Sequence, residues 1–147
     1  MKFEDTVTYR LARVTTAYRN ALERHLAAVD LHGGQVFVLI ELWRQDGIRQ
    51  VDIATRLNLS APTINKILKG LAEINLITSS REKDDARSSR IFLTENGRKI
   101  RSQVAAQWLE LESEYLSKLT DTERLILPDL LGKLQSAYTG NRGEDDE

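Results

Sequence analysis

The run Ser60-Ala61-Pro62-Thr63-Ile64-Asn65-Lys66-Ile67-Leu68-Lys69 spaces three hydrogen-bonding side chains, Asn65, Lys66 and Lys69, so that a helix would turn them to one face. At about 100° per residue, Ile64, Ile67, Leu68, Leu71 and Ile74 fall within an arc of roughly 120°. Pro62, Asn65, Lys66 and Lys69 lie opposite, with Glu73 only at the far end. An amide carries donors and an acceptor on one plane, and an ammonium is a cation on a flexible stem. The chemistry open to such a face is hydrogen bonding to base edges and charge pairing with phosphate. The competing reading is a solvated face with incidental lysines, the usual arrangement on an amphipathic helix. The surroundings of the helix decide between the two.

Ser60 is a good N-cap and Pro62 falls in the first turn, where its missing N–H costs nothing. Upstream, residues 50–57 (QVDIATRL) predict a short helix and Asn58-Leu59 a tight turn, so 50–74 has the form of a helix-turn-helix. In that unit the N-terminal half of the second helix enters the major groove. Downstream, Leu76-Ile77-Thr78 and Arg90-Ile91-Phe92-Leu93 are β-prone runs around the charged segment SSREKDDARSS, which predicts a hairpin. A hairpin directly after the second helix makes the unit winged.

The flanks are helical. Val7, Leu11, Val14, Tyr18, Ala21/Leu22 and Val29 repeat every three or four residues, predicting a helix over 4–29 that Gly33-Gly34 breaks. Residues 35–45 are apolar nearly all round, as in a core helix, and Asp46-Gly47 marks a turn. Ile100, Val104, Trp108, Leu111 and Tyr115 predict a helix over 95–118, roughly 36 Å long. Thr120-Asp121-Thr122-Glu123 has the form of a capping box, opening a last helix to about 138 in which Pro128 predicts a kink. The tail from Gly140 is expected to be disordered.

Composition narrows the class. At 147 residues the chain fits one domain with helical extensions, and 41% hydrophobic with 29% charged residues suits a soluble helical protein. No cysteine excludes disulfides and thiolate metal sites. The absence of a long uncharged apolar run and of a signal-peptide core predicts a cytoplasmic protein with no membrane partner. The net charge of −1 hides a split: GNRGEDDE at the end holds four acids and one Arg, whereas the preceding residues have 20 basic against 18 acidic groups. Between 81 and 101 the basic residues number seven (Arg81, Lys83, Arg87, Arg90, Arg98, Lys99, Arg101) and the acidic four. Two isolated histidines, His25 and His32, and no Gly-rich phosphate loop argue against an enzyme, a metal site or a cofactor.

Taken together these residues resemble the MarR-type bacterial transcriptional regulators, over about residues 8–138. The similarity runs through Leu31…Gln35…Leu39, Gln50-Val51-Asp52-Ile53-Ala54…Leu57 and Ser60-Ala61-Pro62-Thr63…Leu68…Leu71. Its most specific part is Asp85-Ala86-Arg87 followed by Leu93-Thr94…Gly97. Two departures stand out. Asn75-Leu76 replaces the family's Gly-Leu, and Asn is the next best residue for a left-handed helix end. Arg49 replaces the usual capping Thr or Ser, which loses about 1 kcal/mol and sets a cation near the DNA backbone.

The resemblance implies a mainly α (α+β) fold: a winged helix-turn-helix over 35–94, dimerisation helices over 1–34 and 95–138, and an acidic tail over 139–147. It implies a homodimer reading a near-palindromic operator in double-stranded DNA, as a repressor. The apolar stripes at both chain ends agree with a dimer, though they could instead complete a monomer core. Within this frame Asn65 and Lys69 are assigned to base edges, Ser60, Thr63 and Lys66 to phosphates or positioning, and Pro62 to an apolar contact such as a thymine methyl. Arg87 is assigned to the minor groove, Asp85 to orienting it, and Lys83 and Arg90 to phosphates. The resemblance also implies a small aromatic or lipophilic anionic effector, with Tyr9, Arg13, Tyr18, His32, Trp43 and Trp108 as candidate lining, although core packing is the competing role for the aromatics. The rival class is a winged-helix module that binds protein without specific DNA binding; the cationic 63–69 face and Arg87 speak against it.

Overall fold

A computed structural model of the chain describes residues 1–80 and 89–139. It divides into two compact units, Met1–Leu111 and Glu112–Glu147. The elements in chain order are α1 (Val7–Ala27), α2 (Gly33–Arg44), β1 (Ile48–Arg49), α3 (Gln50–Leu57), α4 (Ala61–Glu73), β2 (Ile77–Ser80), β3 (Arg90–Leu93), α5 (Glu95–Lys99), α6 (Arg101–Leu116) and α7 (Asp121–Thr139). A single 3₁₀ turn, Phe3–Asp5, precedes α1.

The core of the first unit is built on α2, which packs against α1, α3, α4 and β3. Its Val36, Val38, Leu39 and Leu42 are fully shielded, together with Leu26, Ile53 and Leu71 from its neighbours. Full burial of such side chains stabilises by about 1.5–3 kcal/mol each relative to exposure, so α2 serves as the hub of the unit. From α4 the arc delivers Ile64, Leu68 and Leu71 to the core, whereas Ile74 at its end is exposed. Ser60 caps α4 as its sequence predicts: its Oγ accepts from the Thr63 amide at 3.4 Å. Ser60→Ala is expected to lower stability by about 1 kcal/mol, measured as the urea midpoint.

Three helices of this unit end by one device without glycine. Asp30, Asn58 and Asn75 adopt left-handed backbone conformations, with φ of 56°, 54° and 60°. The leucine after each reaches back with its amide: Leu31 to Leu26 O at 3.2 Å, Leu59 to Ala54 O at 2.9 Å and Leu76 to Leu71 O at 3.0 Å. This is the Schellman arrangement, which satisfies the last carbonyls and turns the apolar residue back into the core. The Asn75-Leu76 departure therefore preserves the turn.

β1, β3 and β2 form an antiparallel sheet in that order. Ile48 pairs with Ile91 and Arg49 with Arg90; Ile77 pairs with Leu93 and Ser80 with Arg90. A carboxylate fastens the sheet to α2: Asp46 Oδ1 accepts from the Leu93 amide at 2.8 Å and the Gly47 amide at 3.1 Å. Gly47 has φ +72°, and a Cβ there would lie 2.8 Å from Phe92, so the turn needs glycine on both counts. The helix-turn-helix α3–α4 with its β2–β3 wing is the expected fold.

Several boundaries differ from the periodicity. Helix α1 begins after Thr6, whose hydroxyl accepts from the Tyr9 amide at 3.2 Å, rather than at residue 4. It ends at Ala27, before a turn closed by the left-handed Asp30, and Gly33-Gly34, expected as the breaker, instead opens α2. Side chains at these positions would meet Glu23 Oε1 at 2.7 Å and Ile67 Cδ1 at 3.2 Å, so glycine permits α2 to approach α1 and α4. The two-residue strand β1 is absent from the sequence reading because nothing in Ile48-Arg49 alternates long enough to register. The helix expected over 95–118 is divided at Ile100, where ψ relaxes to −15°.

In the second unit the capping box is present: the Thr120 amide donates to Glu123 Oε2 at 2.7 Å and the Glu123 amide to Thr120 Oγ1 at 3.3 Å. Arg124 Nε donates to the carbonyls of Leu116 and Leu119 at 3.1 and 3.2 Å, closing the turn before α7. Helix α7 continues through Pro128. The acidic tail from 140 lies outside the described residues. Among the described residues no helix is long and apolar enough to cross a membrane.

Candidate nucleic-acid interface

The outward face of α4 carries Pro62, Thr63, Asn65, Lys66 and Lys69, all exposed. Two of the polar groups already have internal partners. Ser60 Oγ donates to Thr63 Oγ1 at 2.9 Å, so both hydroxyls hold the start of the helix. Asn65 Oδ1 accepts a hydrogen bond from Nε2 of Gln50, the first residue of α3. Lys66 and Lys69 form no ion pair with an acidic side chain among the described residues, and their charges stay available to an anion.

Beside this face, β1 and β3 set Arg49 and Arg90 directly opposite each other. Like charges at cross-strand positions repel unless neutralised. Arg49 is neutralised by Asp52, through Nε to Oδ2 at 3.0 Å and Nη2 to Oδ1 at 3.2 Å. The hydrogen bond from Arg49 holds the Asp52 carboxyl below its usual range, and the same bond raises Arg49. Arg49 contributes no side-chain cap to α3, in keeping with the departure noted in the sequence. Arg90 donates through Nη1 to the Gly47 carbonyl at 2.9 Å, which ties the guanidinium to the turn before β1. Lys83, Asp85 and Arg87, assigned to the wing, lie outside the described residues.

The six candidate effector residues do not line one pocket. Trp43 and Trp108 share a groove of about 570 Å³ with Ile40, Arg44 and Arg101. Trp43 Nε1 donates to the Gly97 carbonyl at 2.8 Å, and Trp108 stands edge-on to Phe37 with centroids 5.9 Å apart. Tyr18 lines a separate groove of about 450 Å³ beside Arg19, Glu23 and Phe37. Tyr9 and Arg13 are exposed on α1 and line neither groove. His32 opens α2, where its amide donates to Gln35 Oε1 at 2.9 Å and its Nδ1 lies 3.4 Å from Glu23 Oε2.

Sequence reasoning passed over Arg44, Arg101 and Gln50. The two arginines stand on helices more than fifty positions apart, and only packing brings them to one groove. Gln50 opens a short helix and belongs to the family resemblance, but nothing local points to its partner, 15 residues away.

Comparison with known proteins agrees with this geometry. The MarR family model matches residues 32–89. The chain is 33% identical over 103 residues to the uncharacterized HTH-type transcriptional regulator YpoP of Bacillus subtilis (strain 168), covering 67% of this chain and 70% of that protein. It is 33% identical over 88 residues to the HTH-type transcriptional regulator TtmR of Methylorubrum extorquens (strain PA1), covering 60% of this chain but only 43% of TtmR's length. Among solved structures, the S. aureus MepR–DNA complex superposes with a TM-score of 0.77 at 27% identity, covering 90% of this chain and 98% of that one.

Proposed function

Given that this chain belongs to the MarR family, we propose that it is a DNA-binding transcriptional repressor that recognises a near-palindromic operator as a homodimer. The observation that carries the reading is the exposed Asn65–Lys66–Lys69 face on a capped α4, flanked by the Arg49–Arg90 cross-strand pair. Asn65 and Lys69 contact base edges in the major groove, Lys66 a phosphate and Pro62 a thymine methyl. Ser60 and Thr63 position the helix start. Arg49 and Arg90 face the backbone, joined by Lys83, while Arg87, oriented by Asp85, enters the minor groove, where a narrow A·T segment concentrates negative potential. That S. aureus MepR, similar in fold, was solved bound to DNA supports the DNA-binding reading.

Homodimerisation is supported by two unpartnered apolar faces. Val7, Leu11 and Val14 of α1 are 70%, 41% and 54% exposed, and Leu125, Leu130, Leu131 and Leu134 of α7 between 46% and 80%. Exposed apolar stripes of this kind, each on its own helix, mark an interaction site. Residues 1–34 and 95–138 then supply the dimer contacts and 35–94 the DNA contacts. A two-fold axis would separate the two α4 helices by about 34–36 Å, one turn of duplex.

The groove at Trp43, Trp108, Arg44 and Arg101 suits a flat, lipophilic anion: indole faces for stacking and two guanidiniums for a carboxylate. Such an effector releases DNA only if it binds the free form more tightly than the DNA-bound form.

Selecting bound sites from a random duplex pool tests the reading; an enriched near-palindrome is expected, and none would overturn it. On random duplex, the logarithm of the affinity should fall linearly with log[salt]. Lys66→Ala is expected to weaken binding to selected and random duplexes alike and to reduce the salt slope by about one, read by fluorescence anisotropy at several salt concentrations.

A further inference from the structure

We infer that Gln50 is a positioning residue for sequence reading: it fixes the amide of Asn65 in one sense, so that α4 distinguishes adenine from guanine at the base Asn65 meets. This rests on the DNA-reading role proposed above.

Gln50 ties three parts of the reading unit together. As the first residue of α3, its backbone amide donates to the carbonyl of the buried Ser89, at the foot of the wing, at 2.9 Å. Its side chain crosses to α4, where Nε2 donates to Asn65 Oδ1. The donor is half-buried and anchored at its backbone, whereas Asn65 is exposed. The terminal torsion of an unrestrained Asn is broad and roughly two-fold, so its oxygen and nitrogen exchange places readily. With Nε2 of Gln50 turned toward α4, its bond to the oxygen biases the Asn65 amide several-fold toward one sense, the net worth of one hydrogen bond.

The consequence for base reading follows from the donors and acceptors. Adenine offers the N7 acceptor beside the N6 donor, whereas guanine offers two acceptors, N7 and O6. An amide oxygen has two lone pairs, so Oδ1 can accept from Gln50 and still accept from adenine N6 while Nδ2 donates to N7. Against guanine the fixed oxygen would face O6, acceptor against acceptor. A freely turning amide could swing its NH₂ toward guanine and avoid much of that clash. Gln50 thus adds specificity without touching a base.

The test uses the full-length protein and its own selected duplex. The base pair that Asn65 reads is identified as the A·T position whose change to G·C no longer matters in Asn65→Ala. The ratio of affinities for the A·T and G·C duplexes is then measured for wild type, Gln50→Leu, Asn65→Ala and the double variant. Gln50→Leu should reduce the ratio several-fold and leave random-duplex affinity and melting temperature near wild type. The double variant should match Asn65→Ala, because Gln50 acts through that side chain. Gln50→Glu, which can only accept, should turn the amide over and lower the ratio as well; it carries the test if the leucine variant melts early.

Equal loss on both duplexes, an unchanged ratio, or additive effects in the double variant would overturn the inference. A wild type that discriminates while Gln50→Leu keeps the full ratio defeats this inference alone. A wild type with no preference at any position defeats the DNA-reading role with it.

Discussion

Replacing Gly97 by alanine should destabilise the first unit by about 1–3 kcal/mol, the range for forcing an extra carbon into packed structure. The added Cβ would lie 2.1 Å from the Leu76 carbonyl oxygen and 3.1 Å from its carbonyl carbon. Both are backbone atoms, so no side chain can rotate away to make room. That carbonyl is itself committed, accepting the Thr94 amide at 3.0 Å. Thr94 also donates through its hydroxyl to the Asn75 carbonyl at 2.7 Å and accepts the Gly97 amide at 3.0 Å. Lifting α5 to relieve the clash would strain all three bonds, together with the bond from Trp43 Nε1 to Gly97 O. Urea unfolding should show a lower midpoint with an unchanged slope, and emission from Trp43 should redden even in the folded variant. A midpoint equal to wild type would mean that α5 does not pass this close to Leu76.

Asn65→Ala is the substitution with the largest expected effect on recognition. Loss of a bidentate base contact costs about 1–3 kcal/mol, or roughly 5- to 150-fold in affinity for the selected duplex. Random duplex should bind as before, because the amide carries no charge and leaves the salt-dependent phosphate contacts intact. Stability should change little, since Asn65 is exposed and alanine favours helix more than asparagine does. Anisotropy titrations with both duplexes measure the ratio. An equal loss on both would reassign Asn65 from a base to the backbone.

How legible these features are in the sequence depends on the distance over which their cause acts. Local causes are legible: Ser60 caps α4, Thr120 and Glu123 cap α7, and the spacing of Ile64, Leu68 and Leu71 gives the buried face. Asn75 is legible as a left-handed helix end because its tolerance for that conformation is intrinsic. Gly33-Gly34 misleads for the opposite reason. Glycine punctuates in general, but here it serves close approach to Glu23 and Ile67, distant in sequence. The same holds for β1, which exists only because β3 pairs with it, and for the bond between Gln50 and Asn65. The Leu93-Thr94…Gly97 motif stands out in the sequence by resemblance alone; its cause, three hydrogen bonds made by Thr94 to Leu76, Asn75 and Gly97, is visible only in three dimensions.

The pairing of β1 with β3 also bears on the order in which the unit is expected to assemble. Helices α3 and α4 and the turn between them use contacts a few residues apart, and such structure forms in about a microsecond or less. Arg90 meets Gly47 across 43 positions and Leu93 meets Asp46 across 47. Loop-closure entropy opposes those contacts until the intervening helices have shortened the path. The Arg49–Arg90 pairing, made on the central strand β3, is therefore expected to close only after helical structure in 50–73 has begun to shorten the path.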